Sequence, residues 1–151
     1  MIELRKSLRL PNIDEKSVVA LCNFILKRLR LGMCTLSVSL VGDKEMRKLN
    51  KKYFMKDTPT DVISFPMEEN IRNGILLGDV VVCVPQAQRA AKENNQTVSE
   101  ELSLYLIHGI LHLIGERDKT PAEAGRIAEK QKSLLEAARK KGCLAIICTF
   151  H

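Results

Sequence analysis

Aromatic residues are scarce in this chain of 151 residues: tryptophan is absent, and tyrosine and phenylalanine together make up 4%. No apolar stretch approaches the length that a transmembrane helix needs, and the first residues, MIELRKSLRLPN, lack the apolar segment of a signal peptide. The sequence also lacks internal repeats, linkers and low-complexity segments. We therefore expect one globular domain, residues 1–151, in the cytoplasm and without a membrane partner.

Cysteine does not indicate disulfide bonds here. The five cysteines are odd in number, scattered and set in apolar surroundings, so we interpret them as small core residues: Cys22, Cys34, Cys83, Cys143 and Cys148. A second metal site at Cys143, Cys148 and His151 is disfavoured, because a spacing of five residues on a strand points the two thiols to opposite faces.

Basic residues outnumber acidic ones, 24 against 18, which leaves a net charge of +6. This excess favours a polyanionic partner such as nucleic acid. Many basic proteins bind no nucleic acid, so the charge alone does not assign a function.

Hydrophobic periodicity predicts interspersed strands and helices. Strands are expected at 2–9, 34–42, 60–66 and 76–84, with Pro66 closing the third, and residues 143–150 form a last strand or pack as a tail. Cap residues predict five helices: from Asn12 or Asp14 through Leu31, where Gly32 stops it, from Asp43, from Pro85 to about Asn94, from Thr97, and from Thr120 to Gly142. The pattern predicts an α+β or α/β fold in which a sheet of about four strands packs with about five helices.

Two of the three histidines lie four residues apart in HGILHLIGERD, residues 108–118. Residues at this spacing share one helix face, so both imidazoles can reach one metal ion. The positions around them are apolar nearly all round the helix, which indicates that it is buried. Gly115 can adopt the left-handed backbone that ends a helix and reverses the chain, so that Asp118 faces the histidines. We predict that His108, His112 and Asp118 bind one divalent metal ion, with zinc the expected metal.

Two other interpretations compete with this one. A pair of core histidines could hydrogen-bond to backbone or to each other, because buried imidazoles need partners for their polar nitrogens. The glycine and the placed carboxylate favour metal binding instead. The spacing is also that of zinc metallopeptidases, which place a glutamate directly after the first histidine as general base. Gly109 stands there in this chain and disfavours peptide hydrolysis.

On these residues the chain resembles the YbeY family of bacterial rRNA maturation factors, described as single-strand-specific endoribonucleases. Residues 108–115 closely match the family motif His-Gly-x-Leu-His-Leu-x-Gly-x-Asp-His, and LNKKYFMKDTPTDVISFP (49–66) and LLGDVVVC (76–83) match in the right order. The resemblance covers most of the chain. It implies a zincin-like α+β domain with a small mixed sheet, zinc-dependent hydrolysis of rRNA on the ribosomal small subunit, and a role in 16S rRNA 3′ end maturation and ribosome quality control.

Two positions depart from the family pattern. Asp118 replaces the third histidine of the motif, and Phe54 replaces the arginine that the family carries after the tyrosine of its LN-x-x-Tyr-Arg stretch. Phe54 removes a planar cation with five hydrogen-bond donors. Two interpretations stay open: the nuclease activity is reduced or altered, or other cations bind the substrate phosphate, the candidates being Lys51, Lys52 and Lys56.

The expected chemistry leaves several roles open. A metal ion would polarise the scissile phosphate or supply hydroxide. Beyond a metal-bound water we assign no catalytic group, although Asp118 could act as a base if it does not bind the metal, and Glu116 is a further candidate. Asp61 and Asp79 either orient the histidines or cap a turn or strand end. Three functions remain: an endoribonuclease, a ribosome-assembly or RNA-binding factor with weakened catalysis, and the metallopeptidase that Gly109 disfavours.

Overall fold

The computed structural model describes residues 1–7, 10–71 and 74–147. In chain order its elements are β1 (Ile2–Lys6), β2 (Ile13–Asp14), α1 (Glu15–Arg28), β3 (Thr35–Val41), α2 (Asp43–Phe54), β4 (Val62–Ile71), β5 (Gly74–Cys83), α3 (Val84–Glu93), α4 (Val98–Leu113), α5 (Pro121–Lys141) and β6 (Ile146–Ile147).

A four-stranded mixed sheet forms the centre of the fold. Its strand order is β1-β3-β5-β4, in which β1, β3 and β5 run parallel and β4 pairs antiparallel with β5. The short strands β2 and β6 pair with each other in a second, two-stranded sheet. Four strands in a mixed sheet and five helices among the described residues confirm the expected α+β fold.

Capping residues set the helix ends that position the site. Asp14 caps α1 by accepting a hydrogen bond from Ser17 N at 3.3 Å, and Thr120 and Glu123 form the expected capping box of α5. The predicted end of α1 at Leu31, before Gly32, is wrong. The helix ends at Arg28 with Leu29 as its C-cap, because Arg30 already takes a left-handed backbone with φ 61° and closes the last turn by donating to Lys27 O.

The prediction that Pro66 closes the third strand is wrong. β4 continues to Ile71, and its pairing with β5 shifts register between Pro66 and Glu69. Proline lacks a backbone N–H, which is tolerated at a bulge on an edge strand. The irregularity therefore accommodates Pro66 without ending β4.

The two faces of the sheet differ. On one face α1 and α4 cover a large apolar cluster that includes Leu36, Val38 and Val80. On the other face Met46 of α2 joins a smaller cluster with Val81. The alternation of side chains along β5 therefore decides which residues can approach α4.

The cysteines agree with the sequence interpretation where the structure describes them. Cys22 and Cys83 are buried, Cys34 and Cys143 are half-buried, and all four are free thiols. Cys148 and His151 lie outside the described residues. Among the described helices, we find none whose length and apolar character would let it cross a membrane.

Candidate metal centre

Both histidines project from the last two turns of α4, a helix that is buried over most of its length. The ring centroids of His108 and His112 are 4.3 Å apart, and their Nε2 atoms approach to 2.7 Å. Each residue is half-buried at the border of the core. The helical spacing therefore directs two nitrogen lone pairs at one point, as predicted.

A chain reversal at Gly115 brings in the third group. Gly115 adopts φ 98°, and its N–H donates to His112 O at 3.1 Å, while Glu116 N donates to Leu111 O at 3.0 Å. Asp118 Oδ2 then lies 3.6 Å from His112 Nε2. One ligand atom from each of the two histidines and Asp118 lies within 4.8 Å of the other two. The structure thus brings the three predicted ligands together.

Two adjacent residues of α5 contact this arrangement from outside. The side-chain amide of Gln131 lies against His108 Nδ1, and Lys130 forms an ion pair with Glu116. A histidine that binds a metal through Nε2 carries its proton on Nδ1 and needs an acceptor there. The amide oxygen of Gln131 can be that acceptor. Glu116, a candidate base from the sequence, is engaged by Lys130 instead.

The environment favours neutral imidazole at His108. Burial lowers the pKa of His108, and the neighbouring His112 lowers it further, while Asp61, Asp118 and Gln131 partly oppose this shift. Only the neutral form has a free nitrogen lone pair for a metal ion. Two imidazoles and a carboxylate are a known ligand set for catalytic zinc, with an open fourth position. The residues present therefore fit a divalent metal ion.

Gly109 shows why a peptidase-type glutamate has no place after the first histidine. A Cβ atom on Gly109 would lie 2.5 Å from Val80 Cγ1 and 3.0 Å from Val62 Cγ2. Ser64 donates a hydrogen bond to Gly109 O at 2.7 Å, which holds α4 close to β4. A side chain at position 109 would thus enter the packed sheet and not the space around the ligands.

The ligands open onto a cleft of about 1080 Å³, which we call the metal cleft. Its walls come from the end of α2, the following loop, the first half of β4 and the loop after α4; they include Asn50, Phe54, Lys56, Thr58, Pro59, Thr60, Ser64, Pro66, His108, His112, Asp118 and Lys119. This volume lies at the upper end of the range for ligand pockets, so the cleft has room for a ligand beside the three metal-ligand candidates.

Known proteins resemble this chain along most of its length. Residues 5–139 match the family model described as Endoribonuclease YbeY. The chain is 36% identical over 142 residues to the endoribonuclease YbeY of Aquifex aeolicus (strain VF5), covering 93% of this chain and 91% of that protein.

The chain belongs to the YbeY family.

Another YbeY relative, from Anaeromyxobacter sp. (strain Fw109-5), is 45% identical over 102 residues, which are 68% of this chain but only 53% of that protein. The chain thus spans about half the length of this curated relative. The solution structure of TM1509 from Thermotoga maritima superimposes with a TM-score of 0.66 at 30% identity, covering 93% of this chain and 91% of that one. It supports the fold described above.

Both positions that depart from the YbeY pattern, Asp118 and Phe54, line the metal cleft. Phe54 is half-exposed and lines the cleft together with Lys56. The other two lysines suggested as replacements do not line it: Lys51 is exposed, and Lys52 lies over the Tyr53 ring at 5.2 Å. Of the three, the structure therefore keeps Lys56 as a candidate phosphate contact.

The two candidate orienting aspartates have different positions. Asp61 caps the start of β4, since its Oδ1 accepts from Val62 N at 2.7 Å, and its charge still reaches His108. Asp79 lies on the sheet face opposite α4, where Ser39 Oγ donates to it at 3.5 Å. Burial raises the pKa of Asp79. The structure therefore does not bring Asp79 to the histidines.

Sequence reasoning missed two residues of the site. Gln131 on α5 contacts His108 on α4. The two residues are 23 positions apart in the chain, and no local motif signals such a partner. Lys119 also lines the metal cleft. It follows Asp118 directly in the sequence, and its place next to a predicted metal ligand is the signal that could have identified it.

Proposed function

We propose that this chain is a metal-dependent endoribonuclease that cleaves single-stranded RNA, with zinc as its metal. One observation carries the proposal: His108, His112 and Asp118 converge, with ligand atoms within 4.8 Å, at a large cleft in a member of the YbeY family. The relatives that match the chain are named as endoribonucleases. Their name supports the reaction proposed here.

The chain's own residues have separable tasks in this reaction. His108, His112 and Asp118 would hold the ion, and Gln131 would keep His108 in the metal-binding tautomer. When bound, the ion supplies Lewis acidity toward the phosphodiester. Lys56 and Lys119 would bind the RNA backbone in the metal cleft, where their charges offset the negative charge of phosphate. If the ion is held by the two histidines without Asp118, the Asp118 carboxylate could instead act as a base.

The finer assignment concerns the RNA. We propose 16S rRNA, in the maturation of its 3′ end and in ribosome quality control, with the ribosomal small subunit as the partner and the cytoplasm as the place of action. The YbeY family and the net charge of +6 support an RNA substrate.

A ribosome-assembly or RNA-binding factor with weakened catalysis is the second candidate. It is favoured by Phe54, which lines the metal cleft where the family carries arginine. Asp118 adds to this, because a negatively charged ligand leaves zinc less electrophilic than a neutral imidazole does. The peptidase function loses support, since a side chain at position 109 would overlap Val80 and Val62.

One set of assays separates these functions. Protein purified without an affinity tag is incubated with a labelled single-stranded RNA, the matching duplex and a casein substrate, each with and without chelator. An endoribonuclease of this kind should cleave the single strand alone, and the cleavage should be sensitive to chelator. RNA binding without cleavage at any zinc or manganese concentration would select the binding factor, and chelator-sensitive casein hydrolysis would select the peptidase.

A further inference from the structure

An aromatic ring faces the metal cleft with half of its surface uncovered. Phe54 is 50% exposed, although this chain has only four phenylalanines and two tyrosines. Among the large apolar side chains that the structure describes as exposed, Phe54 is the one that lines the cleft. The adjacent Tyr53 instead packs edge-on against Phe65, with ring centroids 5.0 Å apart. An uncovered ring at this place is available to a ligand in the cleft.

The backbone under Phe54 is firmly positioned. Phe54 is the last residue of α2, and Met55 takes a left-handed backbone with φ 57° that ends the helix. Met55 N donates to Lys51 O at 3.1 Å and Lys56 N donates to Asn50 O at 3.3 Å. A ring carried by a fixed backbone loses little conformational freedom when it binds a partner.

Side-chain contacts fix both ends of this region. Asn50 is 5% exposed and donates from Nδ2 to Thr58 O at 2.8 Å, which holds the loop after α2 against the helix. At the other end of α2, Arg89 donates to both carboxylate oxygens of Asp43 at 2.7 and 2.9 Å. The wall that presents Phe54 is thus preorganised.

Two positive charges line the same cleft as the ring. Lys56 and Lys119 line the same cleft, and no carboxylate among the described residues forms an ion pair with either lysine. Cations that follow a phosphate backbone beside an aromatic face are the combination by which proteins bind single-stranded nucleic acid. A small apolar ligand would use the ring but would gain nothing from the two ammonium groups.

We propose that Phe54 stacks on one unpaired nucleobase of an RNA whose adjacent phosphates contact Lys56 and Lys119. The inference rests on the proposed RNA substrate and names the residue that recognises a base. A base in a duplex is already stacked on its neighbours and offers no free face, so the contact selects unpaired nucleotides. Because every base has a π-face, the contact distinguishes unpaired from paired nucleotides and not one base from another.

Equilibrium binding of short RNA to metal-free protein tests the contact apart from cleavage. The probe is a fluorescent hexanucleotide of adenosines, titrated in the presence of chelator with wild type, Phe54→Leu, Phe54→Trp and Met55→Leu. We expect Phe54→Leu to weaken binding by about 5- to 150-fold, the range by which loss of one base–aromatic stack weakens binding. Phe54→Trp should keep the affinity. Met55→Leu is the matched control, because Met55 is 91% exposed, adjacent and outside the cleft lining.

A set of abasic probes identifies the stacked base. Six hexanucleotides each lack one base. One of them should bind wild type more weakly than the intact probe binds wild type. The same abasic probe and the intact probe should bind Phe54→Leu with equal affinity. Thermal melting of every variant checks the fold, which a surface ring should not affect. Equal binding of intact RNA by wild type and Phe54→Leu would overturn the inference. So would the absence of RNA binding. The inference would also fail if each of the six abasic probes lost the same affinity for Phe54→Leu as for wild type.

The outcomes separate this inference from the proposed nuclease. Metal-dependent RNA cleavage with no effect of Phe54→Leu on binding would remove the stacking role and leave the nuclease. A stacking signal in a protein that never cleaves RNA would keep Phe54 in its role and favour the binding factor. Preferential binding of an apolar peptide, with no RNA binding, would overturn both.

Discussion

The side-chain amide of Gln131 on α5 is in direct contact with Nδ1 of His108 on α4. An amide can donate through its nitrogen or accept through its oxygen, so this pair is compatible with either histidine tautomer. Metal binding through Nε2 requires the accepting orientation. The contact therefore connects α5, which carries no predicted ligand, to the state of the metal centre.

Replacement of Gln131 by methionine should lower zinc affinity about 10- to 100-fold, because Nδ1 of His108 loses its acceptor while the packing volume is kept. Gln131→Glu should restore the affinity, since a carboxylate accepts the same proton. Competition with a chromophoric chelator gives the affinities, and Lys132→Met, on the exposed neighbouring position, serves as control. Equal affinities for Gln131→Met and Lys132→Met would refute the role of this contact.

His112→Ala should abolish stoichiometric metal binding, because two groups cannot hold the ion that three converge upon. Elemental analysis of tag-free protein measures the metal content. The control is the same substitution at His151, the third histidine of the chain. Unchanged metal in the His112 variant would show that the ion, if present, lies elsewhere.

Asp118→His, which restores the family pattern, should tighten zinc binding. A neutral imidazole suits zinc well, whereas a carboxylate is a harder ligand and shifts preference toward harder metals such as manganese. Parallel titrations with zinc and manganese should move in opposite directions. If the aspartate form holds zinc at least as tightly, ligand softness does not govern this site.

Gly109→Ala should destabilise the fold by about 1–3 kcal/mol, because the new methyl group overlaps Val80 and Val62 at the contact between α4 and the sheet. Gly125→Ala is the matched control: a Cβ there meets nothing within 4 Å, and alanine should stabilise α5 by up to about 1 kcal/mol. Urea unfolding of both variants measures the difference. A Gly109 variant as stable as wild type would mean that α4 can move away from β4 at no cost.

Phe54→Arg should raise single-turnover cleavage of labelled RNA more than it raises RNA affinity. A guanidinium stacks on a base as phenylalanine does, and it also stabilises charge that develops on phosphorus only in the transition state. The gain can reach about 2–4 kcal/mol, comparable with an oxyanion-hole donor. Lys56→Ala should lower the wild-type rate if that lysine already contacts the phosphate. No cleavage by wild type or by Phe54→Arg would leave the binding factor as the function.

Local rules predicted most of the elements and the convergence of His108, His112 and Asp118. The histidine spacing, Gly115 and Asp118 are connected within eleven residues of the chain, so helix geometry and one turn suffice to bring them together. The capping box at Thr120 was likewise readable, because it satisfies backbone donors within four residues.

Other features could not be predicted in this way. The helix α1 ends before Gly32 because Arg30 takes a left-handed backbone, which residues other than glycine rarely adopt. β4 runs past Pro66 because β5 pairs with it beyond the bulge. The face of the sheet on which Asp79 lies is set by strand register, which places Asp79 on the face opposite α4.

The bulge in β4 also affects what the cleft can bind. β4 is an edge strand and its first half borders the metal cleft, so its outer side could in principle align an extended polypeptide through main-chain hydrogen bonds. Pro66 has no N–H to offer, and the register shift after it breaks the regular spacing of donors and acceptors. An incoming strand would lose its alignment next to the metal ligands. The same interruption protects the sheet from edge-to-edge self-association, and it leaves the cleft better suited to a ligand held by side chains, as a nucleic acid is.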